Sequence, residues 1–222
     1  MLIITGPGRS GTSVLALFCQ KMGYEPGGAW HESVDAGLEF PRVVEINDAM
    51  NRELRETGET TRTLAAHGEE MCALDFKVIK DPRFTFHPGV LRAWHTVRPD
   101  LSVLITYRKP EHCLASRQRS AKNLMVKDRT QADNIRRDLA NTLEVLLELD
   151  IPYRLLLFPH FLDQYDRVRA AFEDLGLPID PDTGAQAWSR IVNRDKVHFK
   201  AEQTGLAEEV ARRKIGWNPF AR

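Results

Sequence analysis

Gly6-Pro7-Gly8-Arg9-Ser10-Gly11-Thr12-Ser13 lies between a short apolar run, Leu2–Thr5, and a stretch in which Val14, Leu15, Leu17, Phe18 and Met22 share one helical face. A glycine-rich turn between strand and helix offers backbone N–H groups and a helix N-terminus, and both favour a phosphate-like anion. The glycines permit close backbone approach, and Ser10, Thr12 and Ser13 add hydroxyl donors. The spacing nearly fits the nucleoside-triphosphate loop Gly-x-x-x-x-Gly-Lys-Ser/Thr. It departs at one place, because Thr12 stands where the lysine belongs and the cation sits three residues earlier, at Arg9. ATP and GTP hydrolases need that lysine on the β- and γ-phosphates together with a magnesium site. The moved cation turns a weak pattern into an informative one. A glycine turn that merely joins strand to helix is the bland alternative.

A second basic group follows another apolar run. Leu101–Tyr107 leads into Arg108-Lys109-Pro110 and then a helical stretch with Ser116, Arg117 and Arg119. Arg108 at a strand's carboxyl end lies on the rim where open α/β sheets bind ligands. Ser116 is about two helical turns further on, so both reach one anion only if the helix runs back past the strand end. The charge distribution agrees: residues 101–137 hold nine Lys/Arg against three Asp/Glu, and residues 138–184 hold three against ten. A basic block within a neutral chain points to one small anionic ligand, the alternative being a solvated charged helix face.

The elements that must position these residues are legible as alternating runs. Leu2–Thr5, Phe76–Ile79, Leu101–Tyr107 and Tyr153–Phe158 read as strands, each followed by a longer stretch with helical spacing. Leu139, Leu143, Leu146 and Leu147 form one helical stripe, and Phe161, Val168, Phe172 and Leu175 another. Strands alternating with helices imply βαβ units. We expect an α/β fold, a P-loop-like parallel sheet of four to five strands with helices on both faces, in a single domain over residues 1–222. The segment 23–70 carries many charges and no convincing strand, and reads as a helical and loop insertion.

Composition sets the outer bounds. The chain has 222 residues with 31 basic and 31 acidic side chains, and this zero net charge argues against a nucleic-acid or anionic-membrane partner. No apolar run approaches the ~20 residues of a membrane-spanning helix. Met1-Leu2-Ile3-Ile4-Thr5-Gly6 has neither a basic leader nor a small-residue cleavage site. Cys19, Cys72 and Cys113, odd in number and widely spaced, are expected to be reduced thiols in a cytoplasmic protein.

Several of these residues together resemble the sulfotransferases. Gly8-Arg9-Ser10-Gly11-Thr12-Ser13 resembles their 5′-phosphosulfate loop, and Tyr107-Arg108-Lys109-Pro110 with Ser116 is similar to their 3′-phosphate motif. Lys80-Asp81-Pro82-Arg83, Gly37-Leu38-Glu39 and Val43-Val44-Glu45-Ile46-Asn47-Asp48 resemble stretches of the bacterial branch, and Ile151–Pro178 resembles its late strand, helix and Leu-Gly-Leu-Pro ending. Three positions depart from the family pattern. The loop cation is Arg9 instead of the lysine of the cytosolic branch, Val14 stands where an aromatic contacts adenine, and Phe158-Pro159-His160 replaces a Tyr-Glu pair.

The resemblance implies 3′-phosphoadenosine 5′-phosphosulfate as donor and sulfuryl transfer to a hydroxyl or amine of a small molecule or glycan, without a metal. The loop residues Gly8, Arg9, Ser10, Gly11, Thr12 and Ser13 would hold the 5′ group, with Arg9 on the bridging and leaving oxygens. Arg108 and Ser116 would bind the 3′-phosphate, and Lys80 would neutralise the transferring group. The proton acceptor is sought among His31, Glu32, Asp35, Glu39 and Asp81. Glu39 comes first because it lies in the matched stretch, and His31 second because an ordinary imidazole titrates in the useful range. Trp30 and Phe40 offer apolar surface to an acceptor pocket within the insertion.

Other signals carry less. His67, His87, His95, His112, His160 and His198 lack zinc spacing, and Cys72 and Cys113 have no matching histidine motif. Arg212-Arg213-Lys214-Ile215-Gly216-Trp217 is loosely similar to a late sulfotransferase Arg-Lys-Gly segment and equally suits a basic last helical turn with a glycine stop. An atypical P-loop nucleotide kinase or NTPase, and a non-catalytic module binding adenosine bisphosphate, stand as alternatives. The oligomeric state, a homodimer included, is left open.

Overall fold

The computed structural model describes residues 1–28, 30–31, 36–120 and 129–192, and the side chains of all of these except 30–31, 36, 117–120 and 129–130. Four parallel strands form its centre: β1 (Leu2–Thr5), β4 (Val78–Lys80), β5 (Ser102–Tyr107) and β6 (Tyr153–Leu157), in the order β4-β1-β5-β6. Ile3 is level with Ile79 on one side and Val103 on the other, and Ile105 with Leu155. The strand runs read from sequence are in place. Their continuous apolar character follows from burial on both faces, as a parallel sheet requires. The second strand begins two residues later than expected and takes in Lys80, while Phe76 stays outside it and packs on Phe40 with ring centroids 4.4 Å apart.

Helices cover both faces. Ile3, Ile79, Val103 and Ile105 point to one, where they meet Val43, Ile46 and Met50 of α2 (Pro41–Thr57), Val90, Leu91 and Trp94 of α4 (Pro88–Val97), and Val145 and Leu146 of α6 (Arg129–Glu148). On the other side lies α1 (Thr12–Lys21), whose Phe18 ring packs on Phe172 of α7 (Tyr165–Asp174) and edge-on against Trp188 of α8 (Pro181–Ile191). Between α4 and α6, α5 (Pro110–Ser120) leaves β5.

The segment after α1 corrects one expectation. It holds a two-residue antiparallel pair, β2 (Trp30–His31) with β3 (Ala36–Gly37), which is too short to leave a sequence pattern. It also supplies core. Val43, Ile46, Met50 and Leu54 are buried, a spacing of three and four that puts one stripe of α2 on the sheet, while its charges other than Glu53 stay at least partly exposed. Pro41 opens this helix and Gly58, left-handed at φ 78°, closes it. The next helix, α3 (Thr61–Ala73), starts on the Glu53 carboxylate, which accepts from the N–H groups of Arg62 and Thr63, each at 2.8 Å. Leu147 departs from its expected stripe and is 65% exposed, near the level of Leu157 on the edge strand at 49%.

Strand β1 lies between β4 and β5, so the chain runs to one side of it and then crosses to the other. The topological switch point of the sheet therefore falls at the carboxyl end of β1, which is the glycine loop. A buried polar chain fixes that end. The Trp94 indole donates to Asn47 Oδ1 at 2.7 Å, Asn47 Nδ2 donates to Asp81 Oδ2 at 2.9 Å, and Asp81 Oδ1 accepts from the Arg83 N–H at 2.9 Å and its guanidinium at 3.0 Å. Burial pushes the Asp81 carboxyl above its usual range, against the pull of Arg83 and Asn47. All of Asp81's surface is covered, and the network joins α2, α4 and the end of β4. Replacing Asn47 by Ala leaves a buried indole N–H without an acceptor and a buried carboxylate short of a donor. The expected loss is about 2–4 kcal/mol of unfolding free energy in a urea titration; a loss below about 0.5 kcal/mol would show that water replaces the amide.

Candidate functional site

The loop after β1 owes its shape to the neighbouring strand. A Cβ on Gly6 would sit 2.3 Å from the Thr106 carbonyl oxygen, so only glycine lets β1 leave the sheet so close to β5. Ser10 then folds back, its N–H on the Pro7 carbonyl at 3.0 Å and its buried hydroxyl against the Thr106 hydroxyl at 2.6 Å. That hydroxyl anchors the loop. Arg9 is left-handed at φ 74° and Gly11 at φ 97°, an alternation that turns successive N–H groups toward one concavity. Gly11 precedes α1 and offers no side chain to cap its first-turn N–H groups, and Ser13 in that turn is half-buried. The Thr12 side chain is buried at 3% exposure.

The second motif reaches this loop directly. Arg108 is 4% exposed, and its Nη1 donates to the Arg9 carbonyl oxygen at 3.1 Å. Its guanidinium carbon lies 4.8 Å from the centre of the Phe158 ring, a cation–π contact. In the other direction, Arg9 Nε donates to Ser116 Oγ at 3.2 Å, and Ser116 is 2% exposed. The helix α5 therefore does run back past the end of β5, which the eight-residue spacing required. Each arginine contacts the other's motif, and the two basic groups form one site.

A third group comes from β4 and the turn after β3. Lys80 is 1% exposed; its ammonium donates to the Gly37 carbonyl at 3.0 Å and pairs with the Glu39 carboxylate. Burial lowers the Lys80 pKa, while Glu39 and Asp81 act to raise it. Glu39 keeps 27% of its side chain exposed, so one side of the pair faces solvent. Its position is held by strain and close packing. Leu38 is left-handed at φ 66° though buried, and a Cβ on Gly27 would lie 2.4 Å from the Leu38 carbonyl oxygen. A bulky residue in that conformation persists only when its surroundings dictate it.

Asp81 is taken up by the buried network, and the Phe40 ring packs on Phe76. The side chain of His31, together with Trp30, Glu32, Asp35, Arg117, Arg119 and the basic segment at 212–217, lies outside the described residues. Two features were given no role in the sequence reading. One is Phe158, which backs both Arg108 and Gly11, where a Cβ would be 2.5 Å from the Phe158 ring. Its sequence signal was an aromatic residue directly after an apolar strand. The other is a cleft of about 200 Å³ beside Pro7, between Thr85 and Phe86 on one side and α6 on the other. Among the described residues no group of three or more His, Cys, Asp or Glu is placed to hold a metal ion, and no helix is long and apolar enough to cross a membrane.

The two left-handed residues give opposite expectations. Gly11→Ala forces a Cβ against Phe158 and should lower stability by about 1–3 kcal/mol. Arg9→Gly relieves a left-handed side-chain residue and should leave stability within about 1 kcal/mol. Guanidinium denaturation of both variants checks this; equal losses would make the Arg9 side chain a structural tie.

No protein-family model matches the chain, and no curated protein matches it. Among solved structures, the chain is similar to the sulfotransferase STF1 of Mycobacterium tuberculosis, with a TM-score of 0.45 and 12% identity, over 92% of this chain and 75% of that one.

Proposed function

We propose that the chain is a sulfotransferase that takes 3′-phosphoadenosine 5′-phosphosulfate as donor and sulfates a hydroxyl or amine of a small molecule or glycan. The observation that carries this reading is the crossed contact of Arg108 with the Arg9 carbonyl and of Arg9 with Ser116. It brings the glycine loop and the β5 exit into contact, which supports a ligand with anions at both ends of its ribose. A triphosphate would instead call for a lysine at Thr12.

In this reading the loop N–H groups from Gly8 to Ser13 cradle the 5′ group, Arg9 steadies the bridging oxygen, and Arg108 with Ser116 takes the 3′-phosphate. The acceptor oxygen forms a bond to sulfur as the bond from sulfur to the 5′-phosphate oxygen breaks, and that phosphate leaves with the electron pair. Lys80 neutralises the sulfuryl oxygens. As they draw its ammonium, the Glu39 carboxylate is released to accept the acceptor's proton. His31 is the second candidate for that task. Catalysis then rests on in-line positioning and on fixed cations in a water-poor site.

Calorimetric titration tests the donor assignment. Adenosine 3′,5′-bisphosphate should bind at least about tenfold tighter than adenosine 5′-monophosphate, and Arg108→Lys should erase most of that difference because a point charge replaces a planar fork. Stabilisation by ATP with magnesium alone would overturn the reading. With radiolabelled donor and an acceptor library, Lys80→Met and Glu39→Gln should each slow transfer by about 10²–10⁴-fold while bisphosphate affinity stays. Binding without transfer to any acceptor would point to a nucleotide-sensing module.

A further inference from the structure

The cleft beside Pro7 has a composition that a core does not need. Its α6 wall presents Gln131, Ile135, Asp138 and Leu139, residues spaced by three and four on one stripe of a helix that elsewhere packs Val145 and Leu146 into the core. Three polar side chains, Gln131, Asn134 and Asp138, line the cleft along that stripe. Among the described residues, neither the Asp138 carboxylate nor the Gln131 amide has a hydrogen-bond partner, whereas the nearby Asn134 amide accepts from Arg137 at 2.7 Å. The opposite wall is Phe86, 51% exposed although it follows the buried Phe84 and Thr85. The cleft thus pairs an open aromatic face with a carboxylate that forms no ion pair among the described residues. His87, the neighbouring imidazole, does not supply a cation: its Nδ1 accepts from the Gly89 N–H at 3.1 Å, and burial lowers its pKa. Burial also raises the Asp138 carboxyl, despite Arg137 and His87, so a cation arriving there relieves an existing cost.

We propose that this cleft binds the body of the acceptor, a small amine-bearing molecule whose apolar ring lies between Phe86 and the Ile135–Leu139 face and whose ammonium pairs with Asp138. Its designation as acceptor rests on the sulfotransferase reading; its preference for a cation does not. A volume of about 200 Å³ is below the ~300–1,000 Å³ typical of pockets for drug-sized ligands, which restricts the enclosed part to a single ring with a short arm. The adjoining Pro7 belongs to the glycine loop, so the cleft borders that loop.

The test uses two near-isosteric probes, phenethylamine and 2-phenylethanol, titrated into the full chain by calorimetry. The amine should bind at least about fivefold tighter than the alcohol. Asp138→Asn should bring the two within twofold of each other, and Phe86→Ala, at an exposed position, should weaken both alike. Equal binding of the two probes by the parent chain, no binding of either, or an undiminished amine preference in Asp138→Asn would each overturn the subsite. Adenosine 3′,5′-bisphosphate titrated into the same samples keeps the two readings apart. Intact bisphosphate binding without an amine preference sinks the subsite alone, and an amine preference without bisphosphate binding sinks the donor reading alone.

Discussion

A guanidinium fixed on a backbone carbonyl holds the site together. Arg108 donates to the oxygen of Arg9 and lies over the Phe158 ring, so its charge is taken out of water only where a dipole and a π face replace the solvent. This contact constrains the loop in turn. The Arg9 carbonyl must face β5, which goes with a left-handed residue, and the Arg9 side chain then reaches α5 at Ser116. A cation at this position of the loop is therefore tied to its backbone conformation. The Arg108 bond uses only the backbone of residue 9, whereas the bond to Ser116 needs the Arg9 side chain itself.

The carboxyl end of β4 divides its labour by strand parity. Lys80 and Asp81 are neighbours, and successive side chains leave an extended backbone in opposite directions. Lys80 turns to the Gly37–Glu39 turn, and Asp81 to Asn47 and Arg83. One residue faces the Gly37–Glu39 turn and the next ties β4 to α2. The Trp94–Asn47–Asp81 chain anchors this end through α2, a helix that the charges of its segment disguise as a surface insertion.

Much of the frame was legible in the sequence. Strands buried on both faces leave short unbroken apolar runs, and all four central strands were marked by them. Elements that depend on partners were less visible. The β2–β3 pair is two residues long in each strand, and Leu147 fits a helical stripe yet is exposed at its far edge. Asp81 looked like a base because carboxylates near strand ends often are, but only the surrounding donors reveal that it is committed to the fold.

Residue type and spacing alone determined that a glycine loop with a displaced cation follows the first strand and that a second basic motif follows the third, because these patterns are local and have a steric meaning within a few residues. Tertiary structure decided that the two are one site, that Lys80 faces Glu39, and that Gln131 and Asp138 line a cleft beside Pro7. Those contacts join residues far apart in the chain, and their partners are chosen by sheet order and helix direction, which no local pattern encodes.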